Sequence, residues 1–154
     1  MQPAEIEELS AGDPRHVVVE NARRKARAVE GEWVLGCDTE VLLDGRVFGK
    51  PSDEDEARRF LRRLSGRTHE VLSGIVLRRA GDERTGLSMT RVRFRTLEVS
   101  EIEAYLATEE WRNRAGGYAI QGKGAALIEG IEGDFWNVVG LPVPELIRLL
   151  KSPC

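Results

Sequence analysis

The sequence predicts a single α/β domain with a mixed sheet, and three observations carry that reading. Capped segments with apolar residues at helical spacing alternate with short apolar or strictly alternating runs. Turn signals such as Asp44-Gly45 divide those runs into strands. No internal repeat, low-complexity stretch or linker interrupts the 154 residues, a length suited to one core. Residues 1–12 read as an irregular segment and residues 13–151 as the domain.

Asp13-Pro14 opens the first helix, with aspartate as N-cap and proline in the first turn. Val18, Ala22, Ala26 and Val29 give it one apolar face, Lys25 lies beside that face, and Gly31 ends it. Residues 33–38 form a buried strand, residues 40–43 continue it or begin the next, and Asp44-Gly45 turns a hairpin. Ser52 caps a second helix whose first turn holds Asp53, Glu54 and Asp55, where the helix dipole favours acids. Ala57, Phe60, Leu61 and Leu64 are its buried stripe, and Gly66 stops it. Two longer strands, 68–79 and 88–97, pair antiparallel across a polar loop at 80–86, and the alternation from Thr90 to Arg95 leaves one face wet. A capping box at Ser100-Glu101-Ile102-Glu103 opens a short helix with Ile102, Tyr105 and Leu106 inward. Gly116, Gly117, Gly122 and Gly124 mark a stretch where the backbone bends tightly or is closely approached. A strand at 126–131, a loop at 133–137, an apolar run at 138–141 and a last helix from Pro142 follow, with Val143, Leu146, Ile147 and Leu150 inward.

Composition excludes several classes of function. The net charge of -3 provides no global field toward nucleic acid or an anionic membrane, so neither is expected as a partner. Arg58, Arg59, Arg62 and Arg63 read as a solvated helix face. No apolar run approaches the ~18 residues of a membrane span, and the acidic N-terminus lacks a signal-peptide core. Cys37 and Cys154 are not expected to pair, which fits a reducing compartment, and the cytoplasm is the expected location. There is no P-loop, no zinc-ligand spacing and no serine–histidine–acid set. His16 reads as a surface residue and His69 as a structural one.

Chemistry concentrates in the stretch from Gly36 to Pro51. A carboxylate, Asp38, leaves the end of a buried strand, and a cation, Lys50, returns between Gly49 and Pro51 after the hairpin. The pair suits a site that handles a phosphate and a metal; an exposed strand end with a solvated lysine is the plainer reading. Glu40 stands where an aspartyl-phosphate phosphatase has its second acid, but the lysine and later acids do not follow that chemistry. Gln121 offers paired donors and acceptors that suit the edge of a base, and a loop glutamine bonding backbone fits the same position. Asn137 reads as a turn cap or backbone partner.

Taken in order, these pieces resemble the Maf family of nucleoside triphosphate pyrophosphatases, also called septum-formation-inhibitor proteins. The matching blocks are Asn21-Ala22 with Lys25-Ala26; Gly36-Cys37-Asp38-Thr39; Gly49-Lys50-Pro51; Leu64-Ser65-Gly66 with His69-Glu70-Val71; Ser73-Gly74; Thr90 to Phe94; Ala115-Gly116-Gly117-Tyr118-Ala119-Ile120-Gln121-Gly122; and Asn137 to Pro142. The Ile-Gln-Gly block is similar to the subgroup acting on dTTP and UTP, whereas the subgroup preferring 7-methyl-GTP lacks that glutamine. The resemblance implies a Maf/ITPase-like fold with a central nucleotide cleft, and metal-dependent hydrolysis of the triphosphate to monophosphate and pyrophosphate, with Mg²⁺ or Mn²⁺ as cofactor. It implies Asp38 as the catalytic acid that positions metal or activates water, Lys25 and Lys50 as phosphate-binding cations, and Gln121 as a substrate contact. A family glutamate that serves the metal corresponds to Glu7 or Glu8. A homodimer is a further expectation of the resemblance.

Family members open with a buried strand, a Ser-x-Ser-Pro-Arg-Arg loop and a helix, and the 154 residues contain no such block. The expectation is either an upstream start or a shortened form without that first strand and helix. The shortened form implies a gap in the sheet, weak or absent catalysis, and unpaired backbone that invites association. The alternative function is therefore a catalytically impaired nucleotide-binding or cell-division regulatory relative.

Overall fold

The computed structural model describes residues 6–152. Residues 6–12 lead without regular structure into α1 (Pro14–Arg27), whose N-cap Asp13 accepts a hydrogen bond from the Arg15 amide at 3.0 Å. The sheet then begins with β1 (Trp33–Leu43), one uninterrupted strand, and β2 (Arg46–Phe48). Asp44 and Gly45 join them with φ values of 52° and 74°, the left-handed pair of a tight hairpin turn. After α2 (Glu54–Leu64) come β3 (Thr68–Arg79) and β4 (Asp82–Phe94). The remaining elements are α3 (Val99–Leu106), two 3₁₀ turns at Ala115–Gly117 and Lys123–Leu127, β5 (Ile128–Glu132), α4 (Phe135–Val139) and α5 (Val143–Lys151).

The expected α/β domain is present, but each of its four strand pairings is antiparallel rather than mixed. The order is β2-β1-β3-β4-β5, and hairpins or returning helices link the strands, so no parallel crossover arises. Every neighbour in that order is hydrogen-bonded. The expected unpaired backbone lies along β1, which pairs β3 from Trp33 to Leu42 but meets β2 only from Val41 to Leu43, so residues 33–40 have a strand on one side among the described residues.

The two faces of the sheet are covered differently. Val34 and Val76 pack against Ala22 and Ala26 of α1. That helix lies so close that a Cβ on Gly36 would fall 2.0 Å from the Ala22 carbonyl oxygen, and one on Gly74 would fall 2.4 Å from Val18 backbone. Only glycine admits this approach. Val41, Val71, Val92 and Phe94 on the opposite face meet Leu61 and Leu64 of α2 and Ile102 and Leu106 of α3. Alternation along β1 makes both cores from one strand.

Several local expectations are corrected. Asp53, not Ser52, caps α2 by accepting from the Glu56 amide at 2.7 Å, while Ser52 binds the Glu56 carboxylate. The polar loop at 80–86 is instead a tight turn at Ala80-Gly81, with φ values of 45° and 88°, so β4 begins at Asp82. The capping box belongs to Glu98 and Glu101, two residues earlier than the expected Ser100 and Glu103. Residues 135–139 coil into α4 because Asp134 caps them, accepting from the Trp136 amide. In α5 it is Leu149 that is buried, against Ile75 and Leu77, whereas Ile147 and Leu150 face solvent.

Candidate active site

Asp38 sits at the centre of the site because β1 carries it into the sheet while α1 closes over it. Its side chain is only 7% exposed. Lys25 Nζ donates to Asp38 Oδ1 at 2.6 Å and also meets Glu8 Oε1 at 2.7 Å. Asn21, one helical turn before Lys25 and so on the same face, donates to Asp38 Oδ2 at 3.2 Å and to the Leu9 carbonyl at 3.1 Å. Its own carbonyl oxygen accepts from the Leu9 amide at 2.7 Å. Asn21 thus ties the irregular segment containing Glu8 to the carboxylate on β1. Of the two candidate glutamates, Glu8 reaches Lys25, whereas Glu7 offers its backbone carbonyl to Arg24.

The electrostatics follow from this packing. Burial works to lower the Lys25 pKa, but hydrogen bonds and charge from Asp38 and Glu8 outweigh it and hold the ammonium above the usual lysine range. Burial works to raise Glu8, and Lys25, aided by the Lys50 charge, outweighs it and lowers that carboxyl. Glu40, on the same face of β1 as Asp38, is pushed up to about 7 by burial and by the neighbouring Asp38 and Glu8 charges. Its Oε2 atom is buried with no partner among the described residues. Burial, with Asp38 adding to it, pushes the Cys37 thiol up to about 11, and its Sγ lies 3.1 Å from the Gly140 carbonyl oxygen.

A cavity of about 300 Å³ runs along the one-sided edge of β1. Asp38 enters it from one face of the strand, and Cys37, Thr39 and Val41 from the other. Lys25, Lys50 and Gln121 line the same cavity, together with Asn113, Arg114, Tyr118 and residues 138–140. The opposite wall is the glycine-rich loop, which is firmly held. The Gly116 amide donates to the Gly49 carbonyl at 3.1 Å, and a Cβ there would press on Val41 at 2.9 Å. The Ala119 amide donates to Tyr105 Oη at 3.0 Å, and Glu110 accepts from the Lys123 and Gly124 amides. Beneath it, Tyr118 Oη lies 2.7 Å from His69 Nε2.

The arrangement brings one carboxylate, a bridged lysine, an exposed lysine and a carboxamide into one cleft, which is what a nucleotide phosphate and base require. The family model described as Maf-like protein matches residues 1–153. The chain belongs to the Maf family.

The chain is similar to several proteins named dTTP/UTP pyrophosphatase. The dTTP/UTP pyrophosphatase of Pyrococcus abyssi is 44% identical over 97% of this chain and 82% of its own length. That of an Anaeromyxobacter species is 48% identical over 98% of this chain and 77% of its own. The dTTP/UTP pyrophosphatase of Thermus thermophilus is 49% identical over 89% and 73%.

Within this Maf chain, the sequence-predicted Asp38, Lys25, Lys50 and Gln121 come together, and Glu8 joins them through Lys25. Sequence reasoning did not single out Asn21 or Arg114 as site residues. The Asn21–Lys25 spacing of one helical turn was the available signal for the first; Arg114 lies in a loop whose path only the fold defines. Asn137 is structural: its Nδ2 donates to the Val71 carbonyl and Thr90 Oγ1 at 3.0 and 3.1 Å. His69 is buried and paired with Tyr118, and His16 is exposed, as expected. Cys154 lies outside the described residues.

Proposed function

We propose that this chain hydrolyses UTP and dTTP to the nucleoside monophosphate and pyrophosphate. The observation that carries the reading is the convergence of Lys25, Asp38, Lys50 and Gln121, from four separate segments, on one cavity. Water attacks the α-phosphorus, the bond to the α,β-bridging oxygen breaks, and its electron pair leaves with pyrophosphate. Asp38 is assigned to orient the water and take its proton. Lys25 and Asn21 hold the Asp38 carboxylate in place, so the geometry is set before substrate arrives. Lys50, exposed at the rim, takes phosphate oxygens. The Gln121 carboxamide, with both donor and acceptor, matches the donor and acceptors on the edge of uracil or thymine.

The reading includes a divalent cation. Asp38 and Glu8 present hard oxygen donors on either side of Lys25 Nζ. Mg²⁺ and Mn²⁺ take such ligands, and Mg²⁺ commonly needs one or two carboxylates with substrate phosphates rather than a full protein cage. The described residues contain no cluster of three or more histidine, cysteine or acidic ligands. When bound, the cation neutralises charge that builds on the phosphates.

Pyrophosphate release from UTP and dTTP, compared with ATP and GTP in Mg²⁺ or Mn²⁺, tests the proposal. The expected result is preferential release from the pyrimidine nucleotides. Nucleotide binding without release from any of the four would contradict it.

A further inference from the structure

We propose that Arg114 binds the outer phosphates of the substrate beside Lys50, an assignment that rests on the nucleotide reading above. Arg114 lines the same cavity as Asp38, Lys50 and Gln121. Its backbone is fixed on both sides: its amide donates to the Trp111 carbonyl at 3.3 Å, and its carbonyl accepts from the Gly117 amide at 2.9 Å. Asn113 before it has φ 58°, a left-handed residue that sets the direction of the chain into Arg114. Two residues on, the Gly116–Gly49 hydrogen bond lays this loop alongside the segment that carries Lys50.

The Arg114 side chain has no structural task that accounts for it. Its guanidinium makes no ion pair or hydrogen bond with another described residue, although its charge reaches the Tyr105 hydroxyl. The neighbouring Arg112 is used differently, paired with Glu109 at 2.9 Å and lying over the Trp111 ring at 4.5 Å. The nearby acid Glu110 is occupied in holding the Lys123 and Gly124 amides.

Charge balance completes the argument. Lys25 is already matched by Asp38 and Glu8, so its ammonium adds no net positive charge to that wall. A triphosphate brings several negative charges, and Lys50 with one divalent cation does not fully offset them beside the net negative charge of that wall. A guanidinium stays charged at any working pH, and its planar fork meets two phosphate oxygens at once. Because the Gly116–Gly49 hydrogen bond holds the Arg114 loop alongside Lys50, the two cations are assigned to the phosphate end of the cleft and Gln121 to the base end.

The test is calorimetric titration of magnesium pyrophosphate into the intact protein and into Arg114→Ala and Arg114→Lys, with product inhibition of UTP hydrolysis by pyrophosphate and by UMP. Arg114→Ala is expected to weaken pyrophosphate binding about 10- to 100-fold, as loss of a charge-assisted contact does. UMP inhibition should stay unchanged, Arg114→Lys should recover part of the loss, and the KM for UTP should rise more than kcat falls. Unchanged pyrophosphate affinity in Arg114→Ala, or a loss confined to UMP, overturns the assignment even where UTP hydrolysis is normal. Absence of UTP hydrolysis in the unaltered protein contradicts the functional reading instead, and the direct titration still decides the role of Arg114.

Discussion

The two walls of the cleft are built on opposite plans. On the inner wall, Asp38, Lys25, Glu8 and Asn21 are mutually hydrogen-bonded between α1, β1 and the segment before α1. On the outer wall, Lys50 and Arg114 project from loops without side-chain partners among the described residues, while the backbone beneath them is tied by the Gly116–Gly49 hydrogen bond. The inner wall ties its charged groups to one another and so fixes the position of the Asp38 carboxylate. The outer wall keeps positive charge available for a ligand. Pre-organisation and binding are thereby assigned to different residues, and substitutions in the two walls should fail differently.

Lys25→Ala breaks the inner wall most completely, because it leaves Asp38 and Glu8 facing each other without a cation. Turnover should fall by about 10²-fold or more, and unfolding in urea should show a loss of about 1–3 kcal/mol, below the cost for a fully buried pair because Lys25 remains partly exposed. The pH dependence follows from the signs. The raised Lys25 pKa contributes stability present below its unfolded value and lost as pH rises through the folded one. The lowered Glu8 pKa contributes stability present above its unfolded value and lost as pH falls through the folded one. Both contributions are therefore present at neutral pH in the parent and missing in the variant.

Lys50→Ala sharpens the contrast from the other side. The KM for UTP should rise by about 10-fold while the urea midpoint stays put, since surface changes away from packed features stay within about 0.5 kcal/mol. A large loss of stability would show that Lys50 belongs to the structural wall after all.

The smallest expected effect on turnover lies beneath the loop. Burial lowers His69 to about 4, so the folded state keeps it neutral where the unfolded chain, near ~6.5, takes up a proton. Its contribution is complete above ~6.5 and declines as pH falls toward 4, on the order of 3 kcal/mol in total. His69→Gln should flatten that acid slope in denaturant titrations while leaving neutral-pH hydrolysis within a few-fold of the parent.

Much of this was readable from residue types that have one physical use. Asp13-Pro14 starts α1 and Asp44-Gly45 turns the hairpin because their backbone preferences allow little else. Asp38 and Lys50 were visible as an acid and a cation flanking that hairpin. The turn at Ala80-Gly81 was hidden, since alanine at φ 45° is not a turn signal, and strand pairing on both sides imposes it. The helix at Phe135–Val139 was hidden because five residues are too few to show a period. Sequence spacing left Glu7 and Glu8 equivalent, and the contact of Glu8 with Lys25 is a tertiary one that spacing does not show. Arg114 carried no signal, because its place in the cleft depends on a backbone bond between segments far apart in sequence.

The central claim is that the inner wall exists to present Asp38 to the α-phosphorus. Pyrophosphate release from UTP by the parent and by Asp38→Asn, at saturating nucleotide and with Mg²⁺ or Mn²⁺, tests it most directly. The account predicts a fall in kcat of about 10²- to 10⁴-fold, with the folded state confirmed by a cooperative urea transition. A variant that folds and turns over at the parent rate would contradict it.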